Sequence, residues 1–258
     1  MSRERALVTG ASSGIGAAFA ERLAGDGWNL VLVARREERL RELAARLGDG
    51  NGIDVEVLRA DLTDPDELRS VEERLAAEPA IDMLVNNAGI MSYGRFRKMD
   101  LGREEELVRL NVLALVRLTH AALPGMTARG RGTLLNVSSR AAFRPEVDNA
   151  TYAASKAFVN SFTRALAEDL AGTGVRVQAL CPGNTRSEIL ERAGLDAATI
   201  ASVPASEPEE VVDVSLRALE HGTLIVVPGE RRLDRWMRRI VPRRVAGKLA
   251  GIFERWAR

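Results

Sequence analysis

The stretch ALVTGASSGIG, Ala6 to Gly16, runs from a short apolar segment into a glycine-rich loop and then into helical periodicity. Glycines 10, 14 and 16 let the backbone turn tightly and approach a diphosphate closely. The helix that follows, expected over 14–25, turns free N–H groups and the positive end of its dipole toward such an anion. The spacing is G-x-x-x-G-x-G and departs from the common G-x-G-x-x-G dinucleotide fingerprint. A plain strand-to-helix turn would also use glycines, so the surrounding chain has to decide.

Outward from this loop, β-rich runs alternate with helical patterns. Residues 6–9, 29–34, 55–60, 82–87, 133–139, 175–181 and 223–228 read as buried strands, with helices over 14–25, 36–47, 65–77, 103–122, 152–171 and 207–220. Strands with few alternating polar residues, separated by helices, make a parallel sheet covered on both faces. The pattern predicts one α/β domain over 1–230, doubly wound around seven parallel strands, with a C-terminal extension over 231–258. Local punctuation agrees: Thr63-Asp64-Pro65 combines a capping residue with an early proline.

Composition narrows the function. A net charge of +1 implies no nucleic-acid partner. Cys181 is the only cysteine, which excludes an internal disulfide and suits a reducing compartment. Two histidines without metal-ligand spacing predict no metal site. The N-terminus lacks a signal-peptide run, and no segment approaches the roughly 20 apolar residues of a membrane span. These features predict a cytoplasmic protein. The tail differs: residues 231–258 hold ten Lys/Arg against Asp234 and Glu254, a local +8, with apolar residues at helical spacing. Two basic amphipathic helices are expected there, either covering the pocket or another subunit, or making peripheral contact with an anionic membrane.

A second marked stretch is TYAASKAF, Thr151 to Phe158, whose tyrosine and lysine are open both to a plain surface i,i+4 contact worth about 0.2–0.5 kcal/mol and to chemistry. Tyr152 precedes Lys156 by four residues in a chain with two tyrosines and three lysines. Random placement gives about 0.02 such pairs. A tyrosine trading a proton near neutrality needs its pKa lowered by about 3 units, or ~4 kcal/mol. One lysine charge about 5 Å away supplies about 3 kcal/mol at an effective dielectric near 20. A helical i,i+4 placement gives that separation. Separately, the second strand ends at Ala34, and Arg35 and Arg36 follow where an NAD enzyme would place an acid. An arginine there pairs with a 2′-phosphate, with no adjacent carboxylate to repel the phosphate, which favours NADP over NAD.

TGASSGIG, Asp61, NNAG (86–89), Asn111, Ser139, the Tyr152/Lys156 pair and PGNTRS (182–187) stand in the order of the short-chain dehydrogenase/reductase family. The chain resembles that family over roughly residues 5 to 228. The resemblance implies a Rossmann-like domain that uses NADP(H) to interconvert a ketone or aldehyde and an alcohol. Tyr152 would be the general acid/base. Lys156 would hold its proton shifted and bind the nicotinamide ribose, Ser139 would orient the carbonyl oxygen, and Asn111 would hold a water for proton relay. Gly10, Ser12, Ser13, Gly14, Ile15 and Gly16 would carry the diphosphate, with Arg35 on the 2′-phosphate. Asp61, Leu62, Asn87, Ala88 and Gly89 would line the adenosine side. Pro182, Gly183, Thr185 and Ser187 would reach the carboxamide and phosphates. Ser187 stands where threonine is usual. The resemblance also implies a homodimer or homotetramer through helices 103–122 and 152–171.

Substrate choice falls to the loops 90–102 and 140–150 and to the stretch after Pro182. The middle loop carries Arg144, Glu146 and Asp148, charges that either face solvent or meet a polar substrate. The rival readings are a 3-oxoacyl-thioester reductase, a lipid or steroid alcohol dehydrogenase, and a non-catalytic NADP-binding sensor or scaffold, for which Ser139 would be superfluous.

Overall fold

The computed structural model describes residues 3–143 and 147–229. The expected amphipathic helices of 231–258, and Arg144 and Glu146, lie outside the described residues. Seven strands form one sheet: β1 (Arg5–Thr9), β2 (Asn29–Ala34), β3 (Val55–Arg59), β4 (Met83–Asn86), β5 (Gly132–Val137), β6 (Val175–Leu180) and β7 (Ile225–Val226). Their order is β3-β2-β1-β4-β5-β6-β7, and every pairing is parallel. The chain winds one way from β1 to β3 and the other way from β4 to β7. The switch between β1 and β4 therefore leaves a crevice at the carboxyl ends of the strands, where such sheets bind ligands.

Nine α-helices surround the sheet among the described residues: α1 (Gly14–Gly25), α2 (Glu37–Asn51), α3 (Pro65–Ala76), α4 (Leu101–Val108), α5 (Leu115–Ala128), α6 (Ala150–Asp169), α7 (Ile189–Arg192), α8 (Ala197–Ser202) and α9 (Pro208–Glu220). The period-2 pleat splits each strand between two apolar layers. Ala6 and Val8 of β1 pack with Phe19, Leu40 and Val212 of α1, α2 and α9, while Leu7 faces Val71, Leu118 and Met126 of α3 and α5. Each fully buried leucine or phenylalanine contributes roughly 1.5–3 kcal/mol. The helix starting at Pro65 begins as its sequence predicts, with the Asp64 carboxylate accepting from Asp66 and Glu67 N–H.

Three features depart from the sequence reading. The helix expected over 103–122 is a longer run, Leu101–Ala128, interrupted by a π-turn at Arg109–Ala114. By length and composition it could cross a membrane, so the expectation that no segment comes near such a span is corrected. Leu107, Leu115, Leu118, Ala122 and Met126 are buried, as in a core helix. Second, α2 runs on to Asn51 and stops where Gly52 turns left-handed (φ +61°). Third, α7 and α8 stand in the stretch after Pro182, which sequence reasoning left without structure.

Candidate active site

The glycine loop sits at the carboxyl end of β1 and leaves no room for a side chain at Gly10 or Gly16. A Cβ on Gly16 would come within 2.4 Å of the Gly10 carbonyl oxygen and the Asn87 amide nitrogen, and one on Gly10 within 2.8 Å of Asn87. Asn87 fixes this geometry by donating to the carbonyls of Thr9 (2.8 Å) and Gly10 (3.4 Å). Thr9 Oγ1 accepts the N–H groups of Asn87 and Ala88 (both 3.0 Å), tying the ends of β1 and β4 together. The N-cap residue of α1, Ser13, makes no side-chain capping bond, and the first turn holds no acid. The helix start therefore suits an outside anion. Ile15 packs against the core and contributes main chain to this turn. Gly16→Ala should cost about 1–3 kcal/mol, as overpacking does. An unchanged thermal midpoint in that variant would contradict the tight loop described here.

The residues expected to handle the proton meet around α6. Tyr152 is 9% exposed, and the Lys156 ammonium lies 5.7 Å from its ring centroid. Lys156 donates to the Val137 carbonyl (2.9 Å) at the end of β5. Burial pushes the Lys156 pKa down to about 8, with Cys181 acting weakly the other way. The amine therefore remains mostly charged at neutrality. Ser139, just beyond β5, accepts the Ala141 N–H on its Oγ (3.1 Å), which leaves its hydroxyl proton to donate. Ser138 behind it is buried and donates to the Lys156 carbonyl (3.0 Å), clamping strand to helix.

Asn111 lies in the π-turn. Its Nδ2 donates to the Ile90 carbonyl (2.9 Å) and Ser155 Oγ (3.1 Å), and its Oδ1 accepts the Ile90 N–H (2.9 Å). The side chain is thus occupied in clasping the loop after β4 onto α6. A Cβ on Gly89 would sit 3.1 Å from Asn111 Oδ1 and 3.4 Å from Lys156 Nζ, so the absent side chain keeps these two groups close.

At the far end of the crevice, Asp61 Oδ1 accepts both the N–H (2.9 Å) and the hydroxyl (2.7 Å) of Thr63. Burial opposes ionisation of Asp61, but the Thr63 bonds and the nearby Arg35 outweigh it and lower its pKa. Leu62 beside it is buried in the second core layer. Arg35 Nη1 lies 3.6 Å from Asp61 and 3.6 Å from Glu106. The expectation of an arginine free of carboxylates is therefore corrected: the acids arrive from the turn after β3 and from α4, distant in sequence. Arg36 reaches the glycine loop, donating to Ser12 Oγ (2.9 Å) and Ser13 Oγ (2.8 Å). Its companions Arg39 and Glu188 escaped sequence reasoning, because nothing local marks a contact across 152 positions.

The segment after β6 closes the other side. Pro182 is buried and its carbonyl accepts from Arg140 N–H (2.9 Å). The Arg140 side chain packs on Gly183. Thr185 donates to the Gly183 carbonyl (3.2 Å), and Ser187 donates to that of Thr185 (3.2 Å). A Cβ on Gly14 would lie 3.0 Å from Ser187 Cβ, so this segment rests on the glycine loop. The expected loop residues thus gather around one crevice, with Tyr152, Lys156 and Ser139 at one end and Asp61, Arg35 and Arg36 at the other. No His/Cys/Asp/Glu group able to hold a metal occurs among the described residues.

Known proteins share this fold. The chain is similar to a short-chain dehydrogenase from Sphingobium yanoikuyae, solved in complex with NADPH, with 40% identity, a TM-score of 0.87 and coverage of 97% of this chain and 95% of that one. It is also similar to the bulky-bulky ketone specific alcohol dehydrogenase from Comamonas testosteroni, with 34% identity, a TM-score of 0.83 and coverage of 98% and 95%. Sulfoacetaldehyde reductase 2 of Chromohalobacter salexigens is 39% identical over 233 residues, 88% of this chain and 92% of that protein. The short chain dehydrogenase family matches residues 4–198. Fold, crevice and sequence agree that the chain belongs to the short-chain dehydrogenase/reductase family of oxidoreductases acting on alcohol and carbonyl groups.

Proposed function

We propose that this protein interconverts a bulky, apolar ketone and its alcohol with NADP(H). The carrying observation is the fully buried Lys156 ammonium 5.7 Å from the Tyr152 ring, with the Ser139 hydroxyl free to donate. The glycine cradle, the uncapped start of α1 and the arginines after β2 fit a dinucleotide bearing a 2′-phosphate. Gly10, Ser12, Ser13, Gly14, Ile15 and Gly16 would hold its diphosphate, Arg36 and Arg35 its 2′-phosphate, and Lys156 its nicotinamide ribose. Asp61, Leu62, Asn87, Ala88 and Gly89 would line the adenosine, with Pro182, Gly183, Thr185 and Ser187 over the carboxamide side.

Bound there, the reduced nicotinamide supplies a hydride for the carbonyl carbon. Ser139 donates a hydrogen bond to the carbonyl oxygen, where negative charge develops. Tyr152 gives its phenolic proton to that oxygen, so its own O–H bond breaks as the alcohol O–H forms. The Lys156 charge stabilises the phenolate left behind. In the reverse direction the same groups remove the proton.

Apolar surface beside the site supports a bulky substrate. Ile90 and Ala141 pack against Tyr152, while Tyr93, Phe96 and Val147 are exposed at 49%, 62% and 72%. The Gly94 N–H donates to the Asp148 carbonyl (2.7 Å), which joins the loop carrying Tyr93 and Phe96 to the segment carrying Val147. The test follows NADPH consumption with bulky ketones, acyl thioesters, small aldehydes and sulfoacetaldehyde, with Phe96→Ser alongside. Bulky ketones should turn over fastest, and Phe96→Ser should raise their KM about three- to tenfold, the worth of roughly one large buried side chain in part. Activity confined to small or sulfonated aldehydes would overturn the apolar reading. NADPH binding without any turnover would favour a sensor or scaffold.

A further inference from the structure

Glu188 follows Ser187 directly and reaches back over the glycine loop. Its Oε2 accepts from Arg36 Nη1 (2.8 Å), its Oε1 accepts from Arg39 Nη1 (2.6 Å), and Arg192 donates to it from the next turn. Arg36 is at the same time held on the Ser12 and Ser13 hydroxyls. One carboxylate thus sits among three guanidinium groups at the edge where, on the function proposed above, the 2′-phosphate would bind. The pairs are half-exposed, with side chains between 28% and 50% accessible, so solvent screens them without cancelling them. Charge counting gives a consequence that the arginines alone do not: a fixed negative charge already uses part of the positive field that an incoming phosphate would meet.

We propose that Glu188 is a specificity-determining residue that limits the preference for NADPH over NADH by competing with the 2′-phosphate for Arg36 and Arg39. NADH has no 2′-phosphate and does not contest those arginines, so the carboxylate weighs on one dinucleotide and spares the other. The placement of Glu188 also explains why three arginines gather at this edge: one would be neutralised outright.

The competition also reaches the excursion between β6 and α9. Its base is stapled by main-chain bonds from Arg186 N–H to Ser206 and from Ser206 N–H to Asn184 (both 3.0 Å). Beyond that base, α7 and α8 bury no residue. Glu188 is therefore a polar tie between this segment and the dinucleotide side, and an anion that displaces it would loosen the tie.

The experiment titrates purified full-length protein with NADPH and with NADH, for the wild type, Glu188→Gln and Glu188→Asp. Glu188→Gln removes the charge and keeps the shape, and should raise the NADH-to-NADPH ratio of Kd values about three- to fivefold, the upper range expected of half-exposed ion pairs. Glu188→Asp keeps the charge and should stay within twofold of the wild-type ratio. A ratio that is unchanged or lower in Glu188→Gln would overturn the proposal, a lower one marking Glu188 as a support for the arginines. An equal rise in Glu188→Asp would overturn the charge argument as well. The inference rests on the NADP(H) reading: wild-type protein that binds no NADPH would end both, whereas NADPH binding with an unmoved ratio would end this inference alone.

Discussion

Tyr152→Phe should lower kcat by about 10²–10⁴-fold, the usual worth of a positioned general acid/base, while NADPH Kd stays within twofold. The substitution deletes one hydroxyl from a ring that is 9% exposed and leaves the ring in the apolar cluster of Ile90, Leu107, Ala141 and Ala153. Packing is preserved, so the loss registers chemistry. The carbonyl oxygen then has the Ser139 hydroxyl for a hydrogen bond but no proton to take from the enzyme. Ser139 stabilises developing charge without being able to discharge it, which is why residual turnover is expected instead of none. Steady-state kinetics with a separate binding titration checks both halves. A variant retaining more than a tenth of wild-type kcat would remove Tyr152 from the acid/base role.

Lys156→Met should lower kcat at least as far, and it should also change how stability responds to pH. The wild-type amine has a pKa near 8 in the fold against an ordinary 10.5, chiefly because burial disfavours the charged form. The unfolded chain therefore binds the proton more tightly. Folding bears the full cost of confining that charge below pH 8, and the cost fades as pH rises from 8 toward 10.5. The difference between the two pKa values corresponds to roughly 3 kcal/mol. Relative to Lys156→Met, the wild type should gain about 2–3 kcal/mol of stability between pH 7 and pH 10. Comparing the two proteins cancels the other titrating groups and the pH-independent packing of the side chain, which leaves the proton-linked difference at Lys156. Denaturant melts at pH 7 and pH 10 measure it; parallel behaviour of the two proteins would show that the amine bears no such burden. The fold would then be carrying a buried cation at no cost, contrary to its burial.

Much of this site can be read from short sequence windows, because short windows contain the causes. The glycine cradle follows from Gly10, Gly14 and Gly16 within a strand-loop-helix passage. The Tyr152/Lys156 approach follows from one turn of helix. The strands appear as apolar runs because both faces of the sheet are buried. What escaped depends on partners distant in the chain. Arg35 looks free beside β2, yet Asp61 and Glu106 meet it in space. Asn111 matches a family position by name, while its side-chain bonds to Ile90 and Ser155 could not be foreseen from spacing. The π-turn around it leaves no compositional mark. The helices α7 and α8 bury nothing, so no apolar period announced them.

That last property has an evolutionary reading. The excursion from Ser187 to Ala205 is fastened at its stem and adds no buried side chain through its two helices. Its sequence can therefore drift, lengthen or be exchanged while the sheet and the layers above and below it go undisturbed. Selection for a new carbonyl compound would find its raw material here, in a stretch whose alteration the folded core does not register. The Glu188 contact is the exception within it. A lineage rebuilding this flap for a different substrate would alter its choice of dinucleotide whenever that carboxylate was lost, so two specificities that seem independent would be inherited together.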